Sequence, residues 1–370
     1  MKIRWIEYEN LTTGLMIERI QFYDDVTLLV GLTGAGKTQI LHAIYYSLLI
    51  VRSNFIPQPC HAVLGLEIGD DLFEWSYRIE RNTSTDILLD ETDECIFTYE
   101  KLTKNNVLIY ERNGSDVKVE GYERVPQPKY DESLLVQYSD DKQFKSLTAE
   151  LRKIYSIDME IEIRGRIGSD SFNAMKSRVL SVIKNGEVRD FKRYSHLPVV
   201  LKLYIAKRHF NELFTEIFDN VKELFMEIED FDVIEDKISE TYQVCMTVNG
   251  KKLMQNDISN GMLKTIYYVV ELLTMSENSV ALIDEFENGL GVNCIDVLCD
   301  LLLSKRDDLQ FIITSHHPKI INTIEMERWK IIDRNTSTVM NSDYREYGIG
   351  NSQHDAYFNL INRWEYEGKI

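Results

Sequence analysis

The sequence lacks any uncharged apolar run long enough to cross a membrane. The best such run, Ala43 to Val51, falls far short of the roughly 20 residues that a spanning helix needs. A second apolar stretch, Thr265 to Leu273, is interrupted by Glu271. Residues 1–10 become acidic before an apolar segment of signal-peptide length develops. These absences argue against a membrane span and against export, and they predict a cytoplasmic protein.

Cysteine is scarce and irregularly placed. The five cysteines are odd in number, are widely spread and are never spaced C-x-x-C. This pattern argues against a disulfide framework and against a zinc ribbon. We expect reduced, buried thiols.

Positive charge is also in short supply. The 42 lysines and arginines face 60 aspartates and glutamates, which gives a net charge of -18 and repels polyanions unless positive charge is locally concentrated. Such a concentration exists at residues 151–210, which hold thirteen basic and six acidic side chains. Three roles are open for this segment: it binds a nucleic-acid backbone, it contacts an acidic partner, or it forms a solvated face. Its basic residues include Arg152, Lys153, Arg164, Arg166, Lys176, Arg178, Lys192, Arg193, Lys207 and Arg208.

A phosphate-binding motif lies near the amino terminus. Residues 31–38, GLTGAGKT, fit the pattern G-x-x-x-x-G-K-[ST] between an apolar strand at 26–30 and an amphipathic helix at 38–51. In this context backbone N–H groups surround a phosphate at a helix start, Lys37 reaches the β and γ oxygens, and Thr38 ligates magnesium. The predicted nucleotide-binding residues are Gly31, Gly34, Ala35, Gly36, Lys37, Thr38 and Gln39.

Two further apolar segments end in polar residues whose side chains can take part in catalysis. Val280 to Ile283 is followed by Asp284 and Glu285, which we interpret as a magnesium-binding acid and a water-activating acid. The strand predicted at 310–314 is followed shortly by His316 and His317, either of which could touch a γ-phosphate. Taken alone, the acids could be a helix cap and the histidines polar strand ends.

The order of these motifs resembles the ABC ATPases. Between the phosphate loop and the acids comes DISNGMLK at a helix start, and the acids lie in ALIDEFENGLG before ITSHHP. The resemblance is to the chromosome-maintenance, break-repair, RecF-like and OLD-like branch, especially the stand-alone ATPases of bacterial anti-phage systems. It covers residues 1–50 and 240–325 well and the middle hardly at all.

The resemblance implies roles for several residues. Ser259, Asn260 and Gly261 would form the signature loop, which in the family reaches across a homodimer to the partner's γ-phosphate, although Ser259 could also be an ordinary helix cap. His316 would be the switch histidine, and residues 287–289 would lie at the dimer interface. A glutamine that senses magnesium and the attacking water is assigned to Gln137, at the end of a strand predicted at 133–136, with Gln143 as its rival.

The fold expected is α/β, an ABC-type head with a mixed or parallel core sheet, an antiparallel subdomain and an inserted helical subdomain. An antiparallel meander is predicted at residues 62–137. The predicted division is an amino-terminal lobe at 1–140, a helical insertion at 141–250 and a carboxyl-terminal lobe at 251–370. Within the insertion, residues 210–238 are predicted to form one acidic amphipathic helix.

Three other kinds of protein carry ATPase motifs of this type, and the sequence argues against each. A transporter ATPase is disfavoured because 247 positions separate Lys37 from Asp284, whereas transport ATPases are much more compact between these two motifs. A DNA-tethering protein would need a long coiled coil, yet residues 140–250 are interrupted by glycines and a proline. An OLD-type nuclease would need a second domain, whereas 54 residues follow His316. We therefore predict an ATPase with magnesium that controls a separate effector, such as a nuclease or toxin.

Overall fold

Two β-sheets and the helices packed on them make up the structure. The computed structural model describes residues 1–82, 95–122, 125, 127–157, 166–183, 186–194, 196–305, 307–345 and 353–366. The larger sheet has thirteen strands and the smaller has four, so the expected α/β class is confirmed.

The strands run as follows: β1 Lys2–Asn10, β2 Met16–Gln21, β3 Val26–Gly31, β4 Cys60–Ile68, β5 Asp71–Arg81, β6 Cys95–Lys104, β7 Val107–Asn113, β8 Asp116–Val119, β9 Ile154–Ser156, β10 Ile167–Gly168, β11 Ile228–Asp236, β12 Thr241–Val248, β13 Lys251–Met254, β14 Val280–Ile283, β15 Gln310–Thr314, β16 Trp329–Asn335 and β17 Thr338–Asp343. The helices are α1 Lys37–Ser53, α2 Leu134–Gln137, α3 Lys142–Leu151, α4 Ser169–Val182, α5 Val188–Lys192, α6 Val199–His209, α7 Asn211–Leu224, α8 Asn260–Thr274, α9 Val292–Ser304, α10 Pro318–Thr323 and α11 Gln353–Tyr366.

The large sheet has the strand order β8-β7-β6-β5-β4-β1-β2-β17-β16-β3-β15-β14-β9. Strands β16, β3, β15, β14 and β9 are mutually parallel, so their carboxyl ends meet at one edge. The remaining neighbours are antiparallel, except β2 and β17. Strands β4 to β8 are the predicted antiparallel meander, and they extend the same sheet.

The sheet is covered on both faces, and strand β3 shows why. Leu28 and Val30 lie in the apolar cluster that includes α8 and α9, whereas Leu29 lies in the cluster that includes α1. Alternate side chains of a strand point to opposite faces, so an uninterrupted apolar run is what burial on both faces requires.

The strand predicted at residues 133–136 is instead the short helix α2. Ser133 caps it, because its hydroxyl accepts the N–H of Leu135. The carboxylate of Glu100 accepts the hydroxyl of Ser133 at 2.5 Å and the N–H of Leu134 at 2.8 Å. The buried carboxylate of Glu100, on β6, therefore accepts the hydrogen bonds of the first residues of α2. The apolar residues at 134–136 alone do not indicate this contact.

The helix predicted at residues 210–238 is wrong beyond Leu224. Helix α7 ends there, and Ile228–Asp236 forms β11, antiparallel to β12 in the small sheet. Phe231 and Val233 are buried and alternate with exposed or half-buried acidic residues, which is the period of a strand. The predicted insertion thus contributes three strands, β10, β11 and β12, to the small sheet and contains helices as well.

No helix among the described residues is long and apolar enough to cross a lipid bilayer. All five cysteines are free of disulfides, and four of them are buried.

Candidate nucleotide-binding site

The phosphate loop joins the carboxyl end of β3 to the start of α1. Two of its glycines have left-handed backbones, with φ of 84° at Gly34 and 105° at Gly36, a conformation that disfavours residues with a Cβ. A Cβ on Gly36 would also lie 2.5 Å from Cγ2 of Val339. At Gly31 a Cβ would lie 2.4 Å from the carbonyl oxygen of Ile332. Strands β16 and β17 therefore pack closely against the loop and restrict its backbone conformation.

Lys37 is held at the bottom of this loop. Its side chain is buried, with 6% exposure, and Nζ donates hydrogen bonds to the carbonyl oxygens of Gly31 at 2.8 Å and Leu32 at 3.0 Å. Burial lowers the pKa of Lys37 to about 8, while the carboxylates of Asp284 and Glu285 act in the opposite direction. The ammonium is thus mainly protonated at neutral pH and faces acidic neighbours.

The two acids after β14 are positioned by Thr314 at the end of the adjacent strand. The Thr314 hydroxyl donates to Oδ1 of Asp284 at 2.6 Å and accepts the N–H of Glu285 at 2.7 Å. The Thr38 hydroxyl also donates to Oδ1 of Asp284, at 3.2 Å. Glu285 is exposed and has a φ of 46°, a left-handed conformation that non-glycine residues adopt at a cost and often at functional sites. The predicted metal-binding pair and the predicted water-activating acid therefore meet at one edge of the sheet.

Glu287 connects this loop to the predicted switch histidine. One carboxylate oxygen accepts the backbone N–H of His316 at 2.7 Å, and the other accepts the hydroxyl of Ser315 at 2.7 Å. Desolvation, aided by the charge of Lys37, lowers the pKa of His316, so its ring is neutral at neutral pH. His317 instead caps α10, where its Nδ1 accepts the N–H of Lys319.

A cavity of about 200 Å³ gathers these groups. It is lined by Thr33, Gly34, Gly36, Lys37, Thr38, Gln39, Asp284, Glu285, Thr314, His316 and Arg334. Arg334, which the sequence did not suggest, comes from the end of β16 and donates from Nε to the carbonyl oxygen of Thr336 at 2.9 Å. The pairing of β16 with β3 brings it there, and no local motif marks it. Ala35 is buried behind the loop, where its N–H bonds to Leu32.

A second cavity of about 340 Å³ adjoins the first through Gln39. It is lined by Tyr8, Asn10, Gln39, His42, Tyr46, Phe55, Pro57 and Gln58. The ring of Tyr46 lies 5.6 Å from that of His42 and 6.1 Å from that of Phe55, between centroids. Aromatic walls with amide groups nearby suit a planar base.

The predicted signature loop lies outside both cavities. Ser259 caps α8 by accepting the N–H of Met262 at 3.2 Å, and both Ser259 and Asn260 are exposed. A Cβ on Gly261 would lie 3.4 Å from the carbonyl oxygen of Gly289. The loop therefore contacts the segment after Glu285 and presents its serine to solvent.

Gln137 is not brought to the phosphate loop cavity. Its amide nitrogen donates to the carbonyl oxygens of Lys129 at 3.0 Å and Glu132 at 2.9 Å, and its oxygen accepts the N–H of Lys129 at 3.2 Å. The amide thus serves a local turn. The side chain of its rival, Gln143, lies outside the described residues.

The family comparison matches the core of this architecture. Residues 26–322 match the model of a family described as "AAA domain, putative AbiEii toxin, Type IV TA system". The matched region includes the phosphate loop, the signature loop, the two acids and His316. No curated protein matches the chain.

One solved structure supports the same fold at low sequence identity, and two further SMC heads are similar to a lesser degree. The SMC head bound to the C-terminal winged-helix domain of ScpA has a TM-score of 0.51 at 10% identity, covering 94% of this chain and 100% of that one. The SMC head domain from Thermotoga maritima has a TM-score of 0.43 at 11% identity, covering 93% and 99%. An SMC head from Pyrococcus furiosus with an extended coiled coil, bound to the C-terminal domain of ScpA, has a TM-score of 0.46 at 10% identity, covering 94% and 97%.

A phosphate loop at the end of a buried strand, two acids on a neighbouring strand and a matching family model over most of the chain lead to one conclusion: the protein belongs to the AbiEii-type AAA ATPase domain family and has the fold of an SMC head.

Proposed function

We propose that the protein binds and hydrolyses ATP with Mg²⁺, that it closes as a homodimer around ATP, and that this state controls a separate effector in bacterial anti-phage defence. The observation that carries the proposal is the division of the site. Lys37, Asp284, Glu285 and His316 share one cavity, whereas the exposed cap Ser259 is not part of its lining. A second copy would supply the missing half.

The cavity residues divide the work of phosphoryl transfer to water. Lys37 and the loop N–H groups hold the β and γ phosphates and offset their charge. Glu285 is exposed at the cavity, where its carboxylate orients the attacking water and accepts its proton. His316, neutral and anchored through Glu287, is positioned to donate a hydrogen bond to a γ-phosphate oxygen.

The donor set fits Mg²⁺. Oγ1 of Thr38 and Oδ1 of Asp284 are hard oxygen atoms 3.2 Å apart, close to the roughly 3 Å between adjacent ligands of an octahedral ion with bonds of about 2.1 Å. When bound, Mg²⁺ would neutralise charge on the β and γ phosphates. Thr314 keeps the Asp284 carboxylate turned toward Thr38. A role for Gln137 as a further ligand would need its local hydrogen bonds to break.

The adjoining aromatic cavity is proposed to take the base. Gln39 lines both cavities, so a nucleotide whose phosphates occupy the loop can pass its ribose along the start of α1. His42 and Tyr46 follow on the same face of that helix, three and four positions apart. A purine ring stacked on the exposed face of Tyr46 or Phe55 would account for the aromatic lining.

Nucleotide binding by the phosphate loop is tested with Lys37→Ala. This variant should lose ATP affinity, because no other lysine of the described residues lines the cavity, yet it should stay folded. Lys104→Ala is the matched control, since Lys104 is a partly exposed lysine paired with Asp71 on the antiparallel side of the sheet. Equal ATP affinity in Lys37→Ala and Lys104→Ala, measured by titration calorimetry with melting temperatures, would refute the assignment.

Control of an effector rests on the family and on the fold. The family description names a toxin of a toxin–antitoxin system, and the similar SMC head was solved with a bound partner domain. A tagged Glu285→Gln protein, purified from its native cells with ATP, should carry a nuclease or toxin that Lys37→Ala releases. The same set of copurifying proteins for both variants would contradict ATP-dependent control.

A further inference from the structure

A cavity among the described residues opens at the opposite edge of the main sheet from the phosphate loop. Its volume is about 660 Å³, and its walls are the end of α3, strand β9, helix α5 and the loop before β14. Lys153 and Asn278 line it just before parallel strands whose register pairs Ile154 with Val280. Asp284 follows the other end of β14. The cavity is therefore separated from the ATP site by the length of these strands.

Positive charge dominates the lining. Five lysines and arginines face a single carboxylate, that of Glu277, in a protein with a net charge of -18. The cationic residues are Arg152, Lys153, Arg189, Lys192 and Arg193, and His196 lies beside them. All belong to the basic segment 151–210.

Other basic residues of that segment are engaged within the fold. Lys202 is paired with Glu271 in the core. Lys207 and Arg208 are paired with Asp230 and Asp232 of β11. Three of the six described basic residues of the segment outside the cavity are thus paired with acids inside the fold, and these three have a structural role. Arg164 lies outside the described residues.

Within the cavity, two cations are the least compensated. Among the described residues Arg152 and Lys192 have no ion pair, whereas Lys153 is paired with Glu150 at 2.6 Å and Arg193 with Asp190 at 3.3 Å. Lys192 is half-buried. Desolvation, followed by the charge of Lys305, lowers its pKa, whereas the carboxylates of Glu216, Glu277 and Asp308 act in the opposite direction.

The pKa of the histidine beside them is lowered mainly by burial and further by nearby cations, of which Arg152 lines the cavity. Desolvation, with the positive charges of Arg52 and Lys202 among the next causes, lowers the pKa of His196 to about 4. An anion placed here would relieve the repulsion between these groups.

The remaining lining is aromatic and polar. Tyr155 is buried and Tyr194 is half-buried, and both face the cavity together with the amide of Asn278. Aromatic rings beside cations are the combination that binds nucleotides, since the base stacks and the phosphate pairs with the cation. A cavity of this volume suits a ligand of one or two nucleotides.

We propose that this cavity is a second site that takes nucleotide units, with phosphates at Arg152 and Lys192 and a base against Tyr194. The nucleotides could arrive free or as the end of a single strand, since both present the same phosphate and base. The site does not need ATP at the phosphate loop, so it stands or falls independently of the proposed ATPase function.

The test measures fluorescence anisotropy of a 3′-labelled oligo-dT of about 12 nucleotides with a 5′-phosphate, in EDTA and without ATP. With the two proposed phosphate contacts, affinity should fall roughly sevenfold between about 50 and 200 mM salt. Arg152→Gln/Lys192→Gln should weaken binding about tenfold and remove most of the salt dependence. Lys118→Gln/Lys222→Gln removes the same charge from two exposed lysines away from the cavity and should bind as the unaltered protein does.

Competition separates the two sources of the ligand. Displacement by the dinucleotide pdTpdT would show that free nucleotides fill the cavity, whereas binding of the strand without displacement would show that a longer chain is needed. Melting curves check that the variants fold. Absence of binding by the unaltered protein, or equal binding by the cavity and control variants, would overturn the proposal.

Discussion

Thr314 offers a sharp test of how the site is built, because one hydroxyl positions both acids. Thr314→Val keeps the shape of the side chain but removes the hydrogen bond to Asp284 and leaves the N–H of Glu285 without its acceptor. The side chain is fully buried, so water does not replace the hydroxyl. A lost bond to a charged group and an unsatisfied buried donor together cost about 2–4 kcal/mol.

This magnitude converts into a measurable shift. At about 2.1 cal/mol/K per residue, the unfolding entropy of a chain of 370 residues makes 1 kcal/mol equal to about 1.3 °C, so the melting temperature should fall by about 3–5 °C. Hydrolysis should slow at least about tenfold, as a misplaced acid loses transition-state stabilisation, while ATP affinity is largely kept because Lys37 is untouched. Thr314→Ser retains the hydroxyl and should behave nearly as the unaltered protein. A Thr314→Val protein with unaltered stability and hydrolysis would refute the positioning role.

Three further predictions follow from single contacts. ATP affinity should fall as the pH rises through about 8, where free Lys37 loses its proton; a flat calorimetric profile from pH 7 to about 9 would contradict the buried ammonium. Arg334→Ala should weaken ATP binding about tenfold without lowering the rate at saturating ATP, whereas Arg334→Lys should lose less; identical Michaelis constants would remove Arg334 from the site. Lys202→Met should lower the unfolding free energy in urea by about 3–5 kcal/mol, because Glu271 stays buried, and Lys202→Met/Glu271→Leu should recover most of it; equal stability of the single and double variants would contradict a buried pair.

The sequence predicts the nucleotide site well where chemistry and local structure coincide. The local signals are the glycines of the phosphate loop, the apolar run of β3 and the acids after β14. Once β3 and β14 are predicted to be parallel, these residues are expected to lie together at one edge of the sheet. Thr314 and Arg334 carry no such signal. They enter the site through strand pairing, which links residues 30 to 301 positions apart along the chain.

The two wrong elements fail for related reasons. The helix predicted at residues 210–238 continues through residues 228–236, but this segment pairs with β12 and therefore forms a strand. At Leu134 a distant carboxylate, that of Glu100, satisfies a helix start inside an apolar stretch. In both cases tertiary contacts override local preference.

The central claim is that two copies form each complete ATP site, and light scattering of Glu285→Gln tests it most directly. The amide keeps the shape of the acid but cannot accept the proton of water, so ATP should persist and hold the dimer. With Mg²⁺ and ATP the mass should double from the monomer value, and adding Ser259→Arg should return it to the monomer, because in the proposed dimer Ser259 meets the partner's ATP phosphate. A Glu285→Gln protein whose mass is indifferent to both ATP and Ser259→Arg would contradict the composite site.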